Sequence, residues 1–140
     1  MMIRSSMAAL LGAAVVALAS PALAQNVNFK ATLAGSEEVP PVQTSGKGEL
    51  TATFDQSSKR LTWKGNYSGL SGPATAAHFH AAEKGKNGGV AVPISPSASP
   101  MEGSATLTDQ QAADLLAGRW YVNIHTEANK AGEIRGQMTR

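Results

Sequence analysis

From Val27 onward the chain repeatedly alternates apolar and polar residues with a period of two, and this pattern restricts the fold more than any other feature. Val27, Phe29, Ala31 and Leu33 fall on one face, with Asn28, Lys30 and Thr32 on the other. Leu50, Ala52 and Phe54 alternate with Thr51 and Thr53 in the same way, as do Leu61, Trp63 and Tyr67 with Thr62, Lys64 and Asn66. Successive side chains of a strand point to opposite faces, so each run predicts a strand with one buried side. The polar Asp55-Gln56-Ser57-Ser58 segment predicts the turn of an antiparallel hairpin. Further strands are predicted over 75–82, 90–94, 104–107, 119–126 and 133–139, separated by loops rich in Gly, Pro and Ser. One helical signal interrupts them at 108–117: Thr108 and Gln111 fit a capping box, Ala112, Leu115 and Leu116 make an apolar stripe, and Gly118 stands at the stop position. The pattern therefore predicts an all-β, antiparallel, Greek-key-like β-sandwich of about seven or eight strands with one short crossover helix.

Ahead of this pattern, residues 1–24 carry Arg4, an apolar run from Met7 to Ala19, Pro21 and then Ala22-Leu23-Ala24. A charged start, a short apolar stretch and an A-x-A end predict a secretory signal peptide, with the β domain occupying 25–140. The apolar run is shorter than the ~20 residues a spanning helix needs, so no membrane span is expected once the leader is removed. The expected location is outside the cytoplasm, periplasmic or secreted, and the expected assembly is a monomer.

Composition narrows the chemistry. The 140 residues contain no cysteine, which excludes a disulfide framework, a thiolate zinc site, a Cys nucleophile and a blue-copper centre. Twelve Lys and Arg scattered against ten Asp and Glu form no basic cluster, so nucleic acid is not an expected partner. The sequence has no G-x-S-x-G elbow, no P-loop, no G-x-G-x-x-G and no H-E-x-x-H. Glu37 and Glu38, beside Val39-Pro40-Pro41, read as residues that shape a loop rather than perform acid–base work.

All three histidines lie in two predicted strands, Ala76-Ala77-His78-Phe79-His80 and Tyr121-Val122-Asn123-Ile124-His125. Residues two apart on a strand share a face, so His78 and His80 point together, away from Phe79. Val122 and Ile124 likewise mark the core side of the second strand, and Ile134 and Met138 that of the last. If these strands are neighbours, one non-core face gathers His78, His80, Asn123, His125, Glu133, Arg135 and Gln137. Three neutral imidazoles suit Cu²⁺ or Zn²⁺ with an open fourth position, and Glu133 or Asn123 is placed to orient ring N–H groups. The same face also reads as solvated polar decoration, with Glu133 and Arg135 as a surface ion pair.

The segments Gly35-Ser36-Glu37-Glu38-Val39-Pro40-Pro41, Ser68-Gly69-Leu70, Ala77-His78-Phe79-His80, Asn87-Gly88, Tyr121-Val122-Asn123-Ile124-His125-Thr126 and Gly132-Glu133-Ile134-Arg135-Gly136-Gln137 together resemble the chordin-type (CHRD) domain in its single-domain exported bacterial form. The resemblance runs from Asn28 to Met138. It implies an all-β domain and no established reaction. Carried over by position, its motif residues are His78, His80, Asn123, His125, Glu133, Arg135 and Gln137. The chain departs from the family pattern at Ala81-Ala82-Glu83, where a Gly-Pro turn is more typical, and at Lys130, where Pro is common.

Three readings follow. The first is a metal-binding module holding copper or zinc through His78, His80 and His125. The second is a metal-free interaction or structural module whose polar face docks a protein or polysaccharide partner. The third, superoxide-type copper redox chemistry, requires the first and draws only on a loose similarity to copper–zinc superoxide dismutase.

Overall fold

The computed structural model describes residue 9 and residues 11–17 and 25–140, so most of the leader expected over 1–24 lies outside the described residues. The β1 strand (Asn26–Ala34), β2 (Lys47–Asp55) and β3 (Arg60–Ser68) form an antiparallel meander, in which Phe29 stands opposite Ala52, and Ala52 opposite Trp63. The β2–β3 turn closes as its polar residues predict: Asp55 Oδ1 accepts from the Ser57 and Ser58 N–H groups at 2.9 and 3.3 Å. After β3 come β4 (Ala74–His80), β5 (Val90–Ile94), β6 (Met101–Thr106), the helix α1 (Asp109–Leu116), β7 (Tyr121–Thr126) and β8 (Ile134–Gln137).

All eight strands belong to one antiparallel sheet in the order β5-β4-β7-β8-β1-β2-β3-β6. The sheet is folded over on itself. Trp63 on β3 meets Phe79 on β4 edge-on, ring centroids 5.1 Å apart, although four strands separate them along the hydrogen-bonded order. Phe79 in turn lies 5.4 Å from Trp120. The residues that alternation assigned to the core, among them Phe29, Leu33, Leu50, Phe54, Leu61, Phe79, Val122, Ile124, Ile134 and Met138, are buried in one continuous cluster. Among the described residues the fold is thus all-β and antiparallel, with a single short α-helix.

That helix starts where its capping box predicts: Gln111 N donates to Thr108 Oγ1 at 3.1 Å, and Thr108 N donates to Gln111 Oε1 at 2.9 Å. It buries Ala112 and Leu115 and carries the chain from the edge strand β6 to β7 inside the sheet. Strand ends differ from the sequence expectation by a few residues. Arg119 stays out of β7 because its N–H donates to the Asp114 carbonyl at 2.9 Å and closes the end of α1, and β6 begins earlier, at Met101, whose side chain is fully buried.

Candidate metal centre

Pairing of β4 with β7, and of β7 with β8, places the polar residues of three strands side by side. His78 stands opposite Asn123, His80 opposite Tyr121, Asn123 opposite Arg135, and Tyr121 opposite Gln137. The juxtaposition anticipated from alternation is therefore present, with the β4–β7 pairing supplying its least secure step. The solvated face does not hold up. Glu133, Arg135 and Asn123 are 0%, 2% and 3% exposed, because the loops at 35–45, 81–89 and 127–132 cover them and make a second, polar interior.

Each histidine offers one nitrogen to a common point, and these three atoms lie within 4.8 Å of one another. His80 Nδ1–H donates to the Gly88 carbonyl at 2.9 Å and His125 Nδ1–H to the Lys130 carbonyl at 2.7 Å. Both bonds leave the lone pair on Nε2. His125 Nε2 is 3.0 Å from His78 Nδ1, close to the about 3.3 Å separation of nitrogens bound to one tetrahedral zinc. His80 Nε2 is buried and has no hydrogen-bond partner. Burial, and then the neighbouring His125 and His80 rings, lower the pKa of His78; burial also outweighs the Gly88 carbonyl and lowers that of His80. Both effects favour the neutral imidazole, the form that binds metal.

The other anticipated residues divide into two groups. Asn123 and Arg135 adjoin the histidines. The Arg135 guanidinium lies 3.4 Å from the centre of the Tyr121 ring, and its Nη1 donates to Asn87 Oδ1 at 2.9 Å. Gln137 instead ties loops together, donating to the Ala82 carbonyl at 3.0 Å and the Gly118 carbonyl at 2.8 Å. Glu133 contacts no histidine, and it is not paired with Arg135 at the surface. Its carboxylate accepts from Thr44 Oγ1, Ser71 N, Ser71 Oγ, Thr126 Oγ1 and Asn129 Nδ2. Burial raises its pKa, but bonds from the Ser71 hydroxyl and N–H, Thr126 and Thr44 outweigh that and bring it from 4.5 to about 2. The ring N–H groups of His80 and His125 go to backbone carbonyls, not to a carboxylate.

The family model for the CHRD domain matches residues 29–138. The chain belongs to the CHRD domain family. No curated protein and no solved structure matches it. In this CHRD domain a groove of about 760 Å³ runs along the outer face of β2, β3 and β6 between Thr51, Thr62, Lys64 and Glu102, and its lining contains no histidine.

Two residues of the CHRD site escaped the sequence reading. Tyr121 stacks on His80 with ring centroids 4.8 Å apart and planes 2° from parallel, and its hydroxyl accepts from Gly88 N at 3.2 Å. The signal was available, since Tyr121 shares the alternation of Asn123 and His125. Glu38, read as a loop-shaping residue, is 5% exposed and lies against Asn123. Burial, offset only in part by Asn123 and Arg135, raises its pKa from 4.5 to about 7. Nothing in the local pattern around Glu38 marks it as interior.

Proposed function

We propose that this CHRD domain is an exported, monomeric module that binds one Cu²⁺ or Zn²⁺ ion through His78 Nδ1, His80 Nε2 and His125 Nε2. The observation that carries the reading is the pair of Nδ1–H bonds to the Gly88 and Lys130 carbonyls, which set the tautomers so that both rings carry their lone pair on Nε2. Metal-bound imidazoles are held by such bonds from the opposite ring nitrogen. Three neutral nitrogen donors without thiolate or carboxylate suit copper and zinc over calcium or magnesium. The leader-like residues 1–24 support export, where both metals are accessible.

The test is a titration of the purified, metal-stripped protein with Cu²⁺ and Zn²⁺, following heat and bound-metal stoichiometry. One ion per chain at micromolar affinity or tighter is expected, with uptake abolished in His125→Ala and little change in the melting temperature of the metal-free protein. Absence of saturable binding overturns the reading. One observation favours the metal-free alternative: the direct His78–His125 hydrogen bond satisfies that pair without an ion. Under that reading His125→Ala lowers the metal-free melting temperature, and the polar face serves a protein or polysaccharide partner.

A further inference from the structure

We infer that Asn123 Oδ1 is a fourth protein ligand of the triad's ion, making a site closed by three nitrogens and one oxygen. The inference rests on the triad reading. Asn123 stands directly across the β4–β7 pair from His78, on the face that carries His80 and His125. It is 3% exposed, and its Oδ1 is buried without a hydrogen-bond partner, as is His80 Nε2. Leaving a buried acceptor unsatisfied is unfavourable, and a cation between the two satisfies both.

The amide cannot simply turn round. Its Nδ2 donates to the Ala131 carbonyl at 3.3 Å and lies against the Glu38 carboxyl, although no bond of normal geometry reaches Glu38 Oε2. Gly132 makes room for this approach: a Cβ there would fall 2.2 Å from Glu38 Oε2 and 2.5 Å from Asn123 Nδ2. Exchanging the amide's oxygen and nitrogen would set Oδ1 against two other acceptors. Ala131 and Glu38 are thus the positioning groups that leave Oδ1 pointing away from them, on the side of the histidines. Zinc sites closed by four protein donors are structural, whereas catalytic ones keep a position open for water or substrate. A closed site favours metal holding over redox turnover.

The experiment uses Co²⁺ as a spectroscopic probe on the purified full chain, comparing the wild type with Asn123→Ala and the near-isosteric Asn123→Asp, and adding azide to each. The expected result is an intense tetrahedral Co²⁺ spectrum in the wild type that azide does not change. Asn123→Ala should bind Co²⁺ at least about tenfold more weakly and change colour with azide, while Asn123→Asp should bind more tightly and remain unresponsive. Equal affinity and equal azide response in the wild type and Asn123→Ala overturn the ligand assignment and leave the triad intact. No Co²⁺ uptake by wild type, with Cu²⁺ and Zn²⁺ also unbound, removes the triad reading and this inference together. Metal-free melting temperatures show whether each variant is folded, and the Asp variant keeps the test open if the Ala variant is not.

Discussion

Two buried carboxyls, Glu38 and Glu133, show how environment sets the behaviour of one side-chain type. Glu133 is surrounded by neutral donors, and its ionised form is held. Glu38 has little to accept from and is held closer to neutrality. The two act oppositely on stability. The native pKa of Glu38 lies above its unfolded value, so its contribution is full below about 4.5 and is lost as pH rises to about 7. Glu133 has a depressed native pKa, so its contribution is present above 4.5 and disappears as pH falls towards 2. His78 and His80, also depressed, lose stability as pH falls through the unfolded histidine value, which partly masks Glu38 in the wild type. The variant isolates the effect. Glu38→Gln should become more stable relative to wild type as pH rises from 4.5 to 7.5, by a few kcal/mol at most, as measured by urea unfolding across that range. A constant difference would show that Glu38 does not titrate in this window.

At the scale of elements, the strands and helix were readable because their signals are local: alternation, a polar turn and a capping box act within a few residues. The loops over the site were not readable, because their contacts are distant in sequence. The 81–89 loop is the instructive case. The Gly88 carbonyl receives His80 Nδ1–H, its N–H meets the Tyr121 hydroxyl, and neighbouring Asn87 bridges Arg135 to the Val39 carbonyl. A Cβ at Gly88 would sit 1.9 Å from the Ala81 carbonyl oxygen. Gly88→Ala should therefore displace the carbonyl that sets the His80 tautomer and weaken metal binding about 10–100-fold, measured by the same titration. Unchanged affinity would mean that this loop does not orient the ring. The helix contributes to an edge as well as to the core: Gln111 Nε2 donates to the Ala91 carbonyl of β5 at 2.9 Å, and Pro93 leaves that edge strand one donor fewer.

Across the whole molecule, the folded-over sheet carries an apolar interior on one side and, beneath the loops by β4, β7 and β8, a polar one on the other. Metal that binds only the native state stabilises it in proportion to the logarithm of its concentration, about 2.7 kcal/mol at a hundredfold excess over Kd. Thermal unfolding of the wild type should therefore shift upward with added Zn²⁺, while that of His125→Ala stays fixed. An equal shift in both proteins would trace the effect to sites other than the triad. The apolar side should behave independently, since Phe79 points to the core while His78 and His80 point away from it.

The sequence alone determined the strands, their buried faces and the side of each strand on which the three histidines stand, because side-chain alternation is a property of the extended backbone itself. It also carried the CHRD motifs and the absence of cysteine that leaves imidazole as the donor for a metal. Tertiary structure decided what alternation cannot express. It folded one sheet over itself so that Trp63 reaches Phe79, and it brought Glu38 and Gly132 against Asn123. It also made an interior of a polar face for which the sequence left a solvated reading open. The physical reason is range: period-two patterning records which side of a strand is apolar, whereas burial of a polar side depends on loops joined to it only through space.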